Sequence, residues 1–488
     1  MDKRSAGFWH KYFAVKPSKN FILGLIFALF LGMRLVGLGG DIANSDEIRW
    51  HVRSTAFLQA LKTLDLKSTY QHYQPGVTLM WVEVPTRVAI SLFNITKFSV
   101  VHSLYKLPII FVLALLLFIH FKFISEIFNR KAALIYAFLM AVEPYLIGID
   151  RWVHLTSFET YFSFASLLAL LVWYKKKSQK HLVFSSLLLA LAILSKTTSL
   201  ILIPVCLIVF TVDIARSGKI RNVFLFGLCT AIFFFILFPA MWTDSARVLY
   251  KLDRSIRGAA EGTMRQDTVP ISLHNYFYLL VLVFKISPIT LVLFLLGLKK
   301  TRKNLNTFVV FFMLVLYGIA LTIAGQKIDR YILVFFPGIL LISALFLSEL
   351  KPRVRNIFLA LSVLNLIFTI YIYHPVYSAY YSPIFGGTRA ALRWGVYDNS
   401  GEYYAQAAQY LSKKPEIIDT FVPNGWDSFA PYYTKRMQRG FDLKNVEYIV
   451  GSLNTNRREI NETICPTMEK SFGPRGFPVV FVFRCGKG

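Results

Sequence analysis

Acidic residues are scarce in this sequence of 488 residues: Asp and Glu together number 27, against 54 Lys and Arg, which gives a formal charge of +27. Such a charge is common among nucleic-acid-binding proteins. Here, however, the basic residues stand mostly in short clusters between long apolar runs, as in the cytoplasmic loops of membrane proteins. We therefore exclude nucleic acid as a partner. With 55% hydrophobic residues, the chain is expected to be a helical membrane protein.

Cysteine is also scarce, with four residues in the whole chain. Cys206 and Cys229 lie within apolar runs and are expected to be packing residues. Cys465 and Cys485 lie in the polar C-terminal part, where a disulfide is possible only in an oxidising compartment. No small-residue cleavage site follows the first apolar run, residues 21–38, so we expect that run to remain as the first membrane helix.

About eleven apolar runs predict membrane-spanning helices, because a span requires roughly 20 mostly apolar residues. Lys196 leaves two interpretations open, since it either separates two helices or marks a kink in one. The predicted spans are residues 21–38, 104–123, 132–149, 158–174, 182–194, 199–214, 222–240, 276–298, 308–324, 331–347 and 357–373.

Basic loops alternate along this series and predict the orientation of the chain. The positive-inside rule assigns the Lys-rich N-terminal segment and the short basic loops to the cytoplasm. Residues 39–103, residues 241–275 and everything after residue 373 are then outside. We expect a multi-pass protein in the plasma membrane of a prokaryote, surrounded by membrane lipid, with its C-terminal part extracytoplasmic.

Two outer regions differ from the spans in their pattern. Residues 77–93 are amphipathic but are interrupted by Glu83, Pro85 and Arg87, which favours a helix lying at the membrane surface. After residue 373 the pattern predicts a helix at 402–411. The apolar runs that follow, at 417–422, 446–450 and 478–483, predict β-strands. We therefore predict a membrane domain over residues 1–375 and a small extracytoplasmic α/β domain over residues 376–488.

Asp46 and Glu47 place two adjacent carboxylates at the outer end of the first helix. Acids beside the bilayer are costly unless they are solvated, paired or used in function. The structural alternative is a helix start, in which Asn44 is the N-cap and Glu47 completes a capping box. Both interpretations can hold together, and the first makes Asp46 and Glu47 candidate catalytic residues.

Two further outer segments carry candidate positioning residues. His72 lies in a polar and aromatic turn, residues 70–78, where a single histidine is also compatible with an ordinary surface residue. Asp150, His154 and Glu159 cluster at the outer end of another predicted helix. Charges clustered at this depth mark either interfacial anchoring or a functional site.

The loop 325–331 brings Lys327 and Arg330 to the outer side, against the positive-inside trend, which suggests an anionic partner. Arginine suits phosphate because its planar fork makes bidentate contacts. Asp329 could instead neutralise these charges. Lys196, at another outer junction, is a similar candidate that could equally extend toward the membrane surface.

The order of these elements resembles the C-type membrane glycosyltransferases, in the branch that contains the protein O-mannosyltransferases and the aminoarabinose lipid A transferase. The resemblance covers most of the chain, and its specificity lies in the order of the motifs together with the topology. Besides the outer acids, the turn and the Lys-Ile-Asp-Arg-Tyr loop at 327–331, it includes residues 191–197, 238–242, 287–290 and 381–387.

This resemblance implies a C-type (GT-C) fold and transfer of a hexosyl or pentosyl group from a polyprenyl-phosphate donor to a protein or lipid hydroxyl, with inversion. Asp46 matches the acid that deprotonates the acceptor, and Glu47 matches its neighbour. Arg330 and Lys327 match positions that neutralise the departing lipid phosphate, and we add Lys196 to this group. The chemistry agrees, because the reaction consumes one hydroxyl proton and leaves a phosphate dianion.

Two positions depart from the family pattern. Relatives place histidine directly before the proline of the turn, whereas Gln74 precedes Pro75 here. The acid of the second outer loop corresponds to Thr156, and Asp150 or Glu159 could compensate for its replacement. We assign no metal ligand and leave open whether a divalent metal takes part.

A transporter or flippase of polyprenyl-linked lipids is the alternative from another functional class, since it would also need many helices and phosphate-binding cations. Transporters commonly show inverted repeats and sites at the membrane midplane. We find no internal repeat, and the candidate residues lie at one predicted face. A scaffold that only presents the C-terminal domain would leave the outer acids unexplained.

Overall fold

The computed structural model describes residues 19–40, 42–263, 269–301, 304–415, 419–437, 446–453 and 465–485. Within them the architecture is an α-helical bundle joined to a small mixed sheet. In chain order the helices are α1 (Lys19–Leu35), α2 (Asp46–Lys62), α3 (Val77–Leu92), α4 (Phe98–Ile127), α5 (Arg130–Val142), α6 (Pro144–Ile149), α7 (Leu155–Lys176), α8 (Gln179–Ser195), α9 (Leu202–Ser217), α10 (Arg221–Leu237), α11 (Ala240–Glu261), α12 (Phe277–Lys285), α13 (Pro288–Gly297), α14 (Leu305–Ile323), α15 (Phe336–Glu349), α16 (Pro352–Tyr373), α17 (Gly387–Arg393), α18 (Tyr404–Ser412) and α19 (Trp426–Phe429).

The predicted spans are helical. Among the described residues, six helical stretches are long and apolar enough to cross a membrane, and eight if each of two bent pairs, α10–α11 and α12–α13, counts as one span. Helices α1 and α8 are shorter apolar helices, and α5 and α6 are separated where Pro144 starts a new helix. The chain is therefore a multi-pass integral membrane protein, as the composition predicts.

Basic residues gather at one end of the bundle. Lys176 pairs with Glu126 and Lys177 pairs with Asp213. The second pair joins the beginning of α8 to the end of α9, so these helices run antiparallel. Lys196 accordingly lies at a turn between two helices, and a kink in a single helix is excluded.

Three helices near the other end do not match any predicted span. Helix α3 confirms that residues 77–93 are helical and contains Pro85 within it, whereas its place at the membrane surface stays a prediction. Helix α11 turns away from α10 by 111° and is strongly amphipathic, with charged residues along one side. Helix α2 completes this group and carries Asp46 in its first turn.

The C-terminal sheet consists of β1 (Thr420–Phe421), β2 (Tyr448–Ser452), β3 (Thr467–Phe472) and β4 (Val480–Arg484), in the order β1-β2-β4-β3. Strand β1 is parallel to β2, and the other pairs are antiparallel. The three predicted strands correspond to β1, β2 and β4, although residues 417–418 lie outside the described residues. Strand β3 was not expected, because this polar, largely exposed edge strand has no apolar alternation.

Cys465 and Cys485 form a disulfide that connects the segment before β3 to the end of β4. This confirms the pairing considered from the sequence. Cys206 and Cys229 are free. The predicted helix at 402–411 corresponds to α18, and α16 ends at Tyr373, just before the predicted domain boundary.

The C-terminal domain packs against the segment that leads into α2. The Tyr432 hydroxyl donates to the Gly39 carbonyl at 2.5 Å, and the Ser45 backbone N–H donates to the Ser400 carbonyl at 3.0 Å. The loop carrying Asp46 is thus held between the helical bundle and the domain.

Candidate active site

Asp46 and Glu47 form the first turn of α2. The Asp46 backbone N–H donates to the Asn44 side-chain oxygen at 2.7 Å, and Glu47 Oε1 accepts from the Asn44 backbone N–H at 3.3 Å. The N-cap position of α2 is Ser45 and not Asn44, and the Asn44 side chain bonds to the Asp46 N–H instead of the Glu47 N–H, so the predicted capping box is not formed as such. The bond from the Asn44 N–H to Glu47 is the part of that prediction that the structure confirms.

The Glu47 side chain is buried and ties three elements together. Its Oε2 accepts from the Val153 backbone N–H at 3.0 Å and lies 3.3 Å from Lys106 Nζ and 3.5 Å from His102 Nε2. A buried carboxylate with this many partners is suited to holding neighbouring segments in place. The catalytic role predicted for Glu47 stays a prediction, and its contacts favour positioning of the Asp46 turn.

Arg330 meets Asp46 although the two residues are far apart in the sequence. Arg330 Nη2 donates to Asp46 Oδ2 at 2.8 Å. The side chain of Asp46 is 24% exposed and that of Arg330 is 8% exposed, so this pair stands at the edge of the protein interior. The buried Arg330 Nε has no hydrogen-bond partner within the described residues. Leaving such a donor unpaired costs about 1–3 kcal/mol, which favours a ligand acceptor at this position.

His154 borders the same carboxylate. Its Nε2 lies 3.8 Å from Asp46 Oδ2, while its Nδ1 accepts from the Thr156 backbone N–H at 3.2 Å. Burial lowers the pKa of His154 well below 6.5, and the Arg330 charge acts in the same direction. The neutral ring therefore carries its proton on Nε2, facing Asp46.

His72 has a similar arrangement on the neighbouring turn. Its Nδ1 accepts from the Gln74 backbone N–H at 3.2 Å, and its ring centre lies 5.5 Å from that of Trp50 and 3.8 Å from that of Tyr73. Burial lowers the pKa of His72 to about 4, whereas the Asp46 charge acts in the opposite direction. His72 is consequently neutral at pH 7 and can donate from Nε2.

Lys196 extends the cationic part of the site. Its Nζ lies 3.0 Å from Glu159 Oε2 and 3.7 Å from the centre of the Tyr331 ring. In the same region, Gln74 Oε1 accepts from the Thr197 backbone N–H at 3.0 Å. The glutamine that replaces the histidine of the family pattern thus joins the turn before α3 to the Lys196 turn.

Lys327 and Asp150 have partners that favour structural roles. Lys327 Nζ donates to the carbonyls of Leu321, Thr322 and Ala324 at 3.0, 2.7 and 2.6 Å. An ammonium has three protons, so these bonds cap the C-terminal end of α14 and do not present the charge to a phosphate. The phosphate-binding role predicted for Lys327 stays a prediction, and these contacts favour a structural role.

Asp150 forms a fully buried pair with Arg34 of α1 at 2.7 Å. It also accepts from the hydroxyls of Ser157 and Tyr161 at 2.7 and 2.8 Å. These contacts fasten α1 to α7. Of the residues expected to position the substrate, the structure therefore brings His72, His154 and Glu159 to the Asp46–Arg330 region, whereas Asp150 serves helix packing.

Sequence reasoning missed two buried lysines. Lys285 lies 3.5 Å from Asp329 Oδ2 and 3.6 Å from the centre of the Tyr381 ring, and Lys106 pairs with Glu47. Both lie inside apolar runs that were predicted as spans. An ionisable residue within such a run is a functional or structural signal in its own right, and it could have identified them.

The described residues do not form a metal-ligand set. No group of three His, Cys, Asp or Glu side chains in the described ranges could hold an ion. Of the two acids that could compensate for Thr156, Asp150 is paired with Arg34 and Glu159 is paired with Lys196. Because these residues do not fit a metal ion, the reaction steps proposed below do not involve one.

An apolar groove of about 880 Å³ begins beside this cluster. It runs between α9, α10 and α11 and is lined almost entirely by hydrocarbon and aromatic side chains. Thr197, one of its lining residues, adjoins Lys196. The groove therefore leads from the cationic group into the membrane part of the bundle.

Comparisons with known proteins agree with this architecture. Residues 87–242 match the family model of the dolichyl-phosphate-mannose-protein mannosyltransferases. ArnT of Cupriavidus metallidurans bound to undecaprenyl phosphate is similar with a TM-score of 0.56 at 14% identity, covering 94% of this chain and 97% of that one. The chain has the C-type glycosyltransferase fold. This confirms the resemblance recognised from the sequence.

A second C-type structure is also similar. The apo oligosaccharyltransferase of Archaeoglobus fulgidus gives a TM-score of 0.54 at 13% identity, over 97% of this chain and 75% of that one. No curated protein matches the chain significantly. At these identities the structures establish the fold, and the assignment of substrate depends on the site itself.

Proposed function

We propose that the protein transfers a sugar from a polyprenyl-phosphate donor to an acceptor hydroxyl at the outer membrane face. The observation that carries this proposal is the contact between Asp46 and Arg330, which sets a base beside a cation. Sugar transfer from a lipid phosphate requires these two functions together, because it removes one proton and releases one phosphate.

Asp46 acts as the general base. The acceptor oxygen forms its bond to the anomeric carbon as its proton passes to the Asp46 carboxylate, while the bond between the anomeric carbon and the phosphate oxygen breaks. This single displacement inverts the anomeric centre. The Nε2–H group of His154 lies 3.8 Å from the carboxylate and is placed to orient the acceptor hydroxyl, and His72 on the neighbouring turn supplies a second neutral donor.

Arg330 receives the departing phosphate. Its Nε is buried and has no partner among the described residues, so a phosphate oxygen would satisfy a donor that otherwise lacks an acceptor. Lys196 adds a second positive charge on the same side. The low exposure of both cations strengthens their interaction with the negative charge that develops in the transition state.

The apolar groove between α9, α10 and α11 takes the first part of the polyprenyl chain. Its volume of about 880 Å³ and its apolar lining suit several isoprene units. Because Thr197 adjoins Lys196, a lipid in the groove would bring its phosphate to the cations. The solved ArnT structure contains undecaprenyl phosphate, which supports this class of donor.

The site lies on the extracytoplasmic side in this proposal. Asp46, Arg330 and the C-terminal domain share one end of the bundle, and the Lys176 and Lys177 pairs lie at the other. The positive-inside rule assigns the latter to the cytoplasm. The disulfide in the C-terminal domain agrees, since such bonds persist in oxidising compartments.

A transfer assay with purified protein separates this function from the transporter alternative. The protein in detergent would be incubated with radiolabelled polyprenyl-phosphate sugars and with acceptor fractions from native membranes. We expect the wild-type protein to transfer the label to a protein or lipid product. This transfer should depend on Asp46. Label that crosses the bilayer of proteoliposomes unchanged, with no product formed in detergent, would establish transport and overturn the proposal.

A further inference from the structure

A second polar pocket lies on the far side of His72 and Tyr73, between their turn and α11. Its volume is about 360 Å³. Helix α11 contributes Lys251, Arg254 and Ser255, and this three- and four-residue spacing places them on one face. Among the described residues no carboxylate lines the pocket, and both of its charged side chains are cations.

Two hydroxyl groups in this pocket lack partners. Ser255 is 1% exposed, and neither its Oγ nor the buried Tyr70 hydroxyl makes a hydrogen bond within the part of the chain that the structure describes. Native proteins seldom leave such groups unsatisfied. Both can donate to an oxygen placed between the turn and the helix.

The basic residues of α11 fall into two groups. Arg257 pairs with Asp253 at 2.9 Å, and Arg247 lies 4.0 Å from Asp244. Lys251 and Arg254, which line the pocket, pair with no carboxylate of the described residues, and Lys251 Nζ rests 5.1 Å from the centre of the Tyr70 ring. The cations that face the pocket are therefore the ones that remain available to a ligand.

We propose that this pocket binds an anionic group, a phosphate or a carboxylate, carried by the acceptor. The inference rests on the proposed transferase function, because it assigns the group to the acceptor and not to the donor. The proposed function already assigns Arg330 and Lys196 to the donor phosphate, and neither lines this pocket. His72 lines the pocket and its ring lies 5.5 Å from that of Trp50, which stands one turn after Asp46 in α2, so an acceptor anchored here lies on the side of the bundle that carries the base.

The test is equilibrium binding of simple probes to the full-length protein in detergent, measured by calorimetry without any transfer step. Glucose 1-phosphate and glucuronate supply the two kinds of anion, and glucose is the neutral control. We expect the probe that carries the acceptor's kind of anion to bind with an affinity that falls as salt rises, and glucose not to bind. Equal binding of glucose, or no binding of either anion, would overturn the proposal.

Variants locate the binding. K251Q/R254Q should weaken binding of the anion about tenfold or more, since charge-assisted hydrogen bonds are lost. R247Q/R257Q removes the same charge from the same helix outside the pocket and should change affinity less than about twofold. Equal losses of affinity in both variants would mean that only the long-range effect of charge matters. That result would refute a specific anion-binding pocket. S255A, which keeps all charges, should weaken binding without changing its salt dependence.

Competition distinguishes acceptor from donor. Farnesyl phosphate, a short polyprenyl phosphate, should leave binding of the anionic probe unchanged, and displacement would assign the pocket to the donor. If the probes bind as expected while no sugar transfer is found, the transferase proposal fails and the anion site stands. If transfer occurs and the probes do not bind, only the present inference fails.

Discussion

Replacing Asp46 by asparagine separates a catalytic from a structural role. Asparagine caps helices as well as aspartate does, and its side-chain oxygen can still accept from Arg330 Nη2, which lies 2.8 Å from Asp46 Oδ2. What the substitution removes is basicity. General-base catalysis contributes about two to four orders of magnitude, so the turnover number of Asp46→Asn should fall by that factor, roughly 3 to 5 kcal/mol in activation free energy.

Stability and donor binding should change little in this variant. Asp46 is 24% exposed and Arg330 8% exposed, and asparagine keeps an acceptor for the Arg330 Nη2–H, so the loss should be about 1 kcal/mol. Losing the carboxylate also leaves Arg330 with more uncompensated positive charge, which favours a phosphate. The Michaelis constant for the donor should therefore stay the same or decrease.

Asp427→Asn is the matched control. Asp427 lies 3.3 Å from Arg49, the same distance as Asp46, but it belongs to α19 and makes no contact with Arg330. Initial rates with radiolabelled donor, at saturating donor and acceptor, should be near wild type in this control. Near-normal turnover of purified Asp46→Asn would refute the reasoning and leave Asp46 as the counter-ion of Arg330.

Four further outcomes are expected. Arg330→Lys keeps the charge but loses the fork, so kcat/KM for the donor should fall about tenfold to a hundredfold, and more in Arg330→Ala; unchanged values would show that the arginine only pairs with Asp46. Reduction, or replacement of Cys465 and Cys485 by alanine, should destabilise the C-terminal domain by roughly 3 kcal/mol because the bond closes a loop of 20 residues, and an unaltered melting curve would contradict this. Burial holds the pKa of His72 near 4, below 6.5, so the unfolded chain binds a proton that the folded chain does not; the melting temperature should drop as pH falls from about 6.5 to about 4, and His72→Gln should flatten this dependence. A phosphatase reporter that is active only outside the cytoplasm, fused after residue 488, should be active, and a cytoplasmic signal would reverse the proposed topology.

The membrane helices could be predicted from the sequence for a physical reason. Lipid offers no hydrogen-bond partners, so each span must be a long apolar helix whatever its neighbours are. The same solvent constraint places basic residues in short loops. For this reason the loop that contains Lys177 could be predicted as a cytoplasmic loop. The turn at Lys196 was the least certain boundary between predicted spans. It too was indicated by the sequence, because a short apolar run lies on each side of this charged residue.

Strand β3 and the sharp bends were not predictable in this way. The sequence Thr-Met-Glu-Lys-Ser-Phe at 467–472 has no apolar alternation, because β3 is an edge strand exposed to solvent and depends on backbone pairing with β4. The bend of 117° between α12 and α13 lies within one continuous apolar run, so composition alone reads it as a single helix.

The sequence by itself determined a polytopic membrane protein, the helix α3 between its first two predicted spans, and Asp46 and Arg330 as candidate site residues, since charge beside a membrane is costly and conspicuous. Only the tertiary structure decided which charges meet. Asp46 and Arg330 are separated by 284 positions and meet because packing brings the first turn of α2 to the segment just before α15. Lys327, three residues before Arg330, instead caps α14, and Glu47, next to Asp46, is buried against Lys106. Neighbours in sequence point to different sides of a helix or turn, so proximity along the chain cannot assign their partners, whereas packing does.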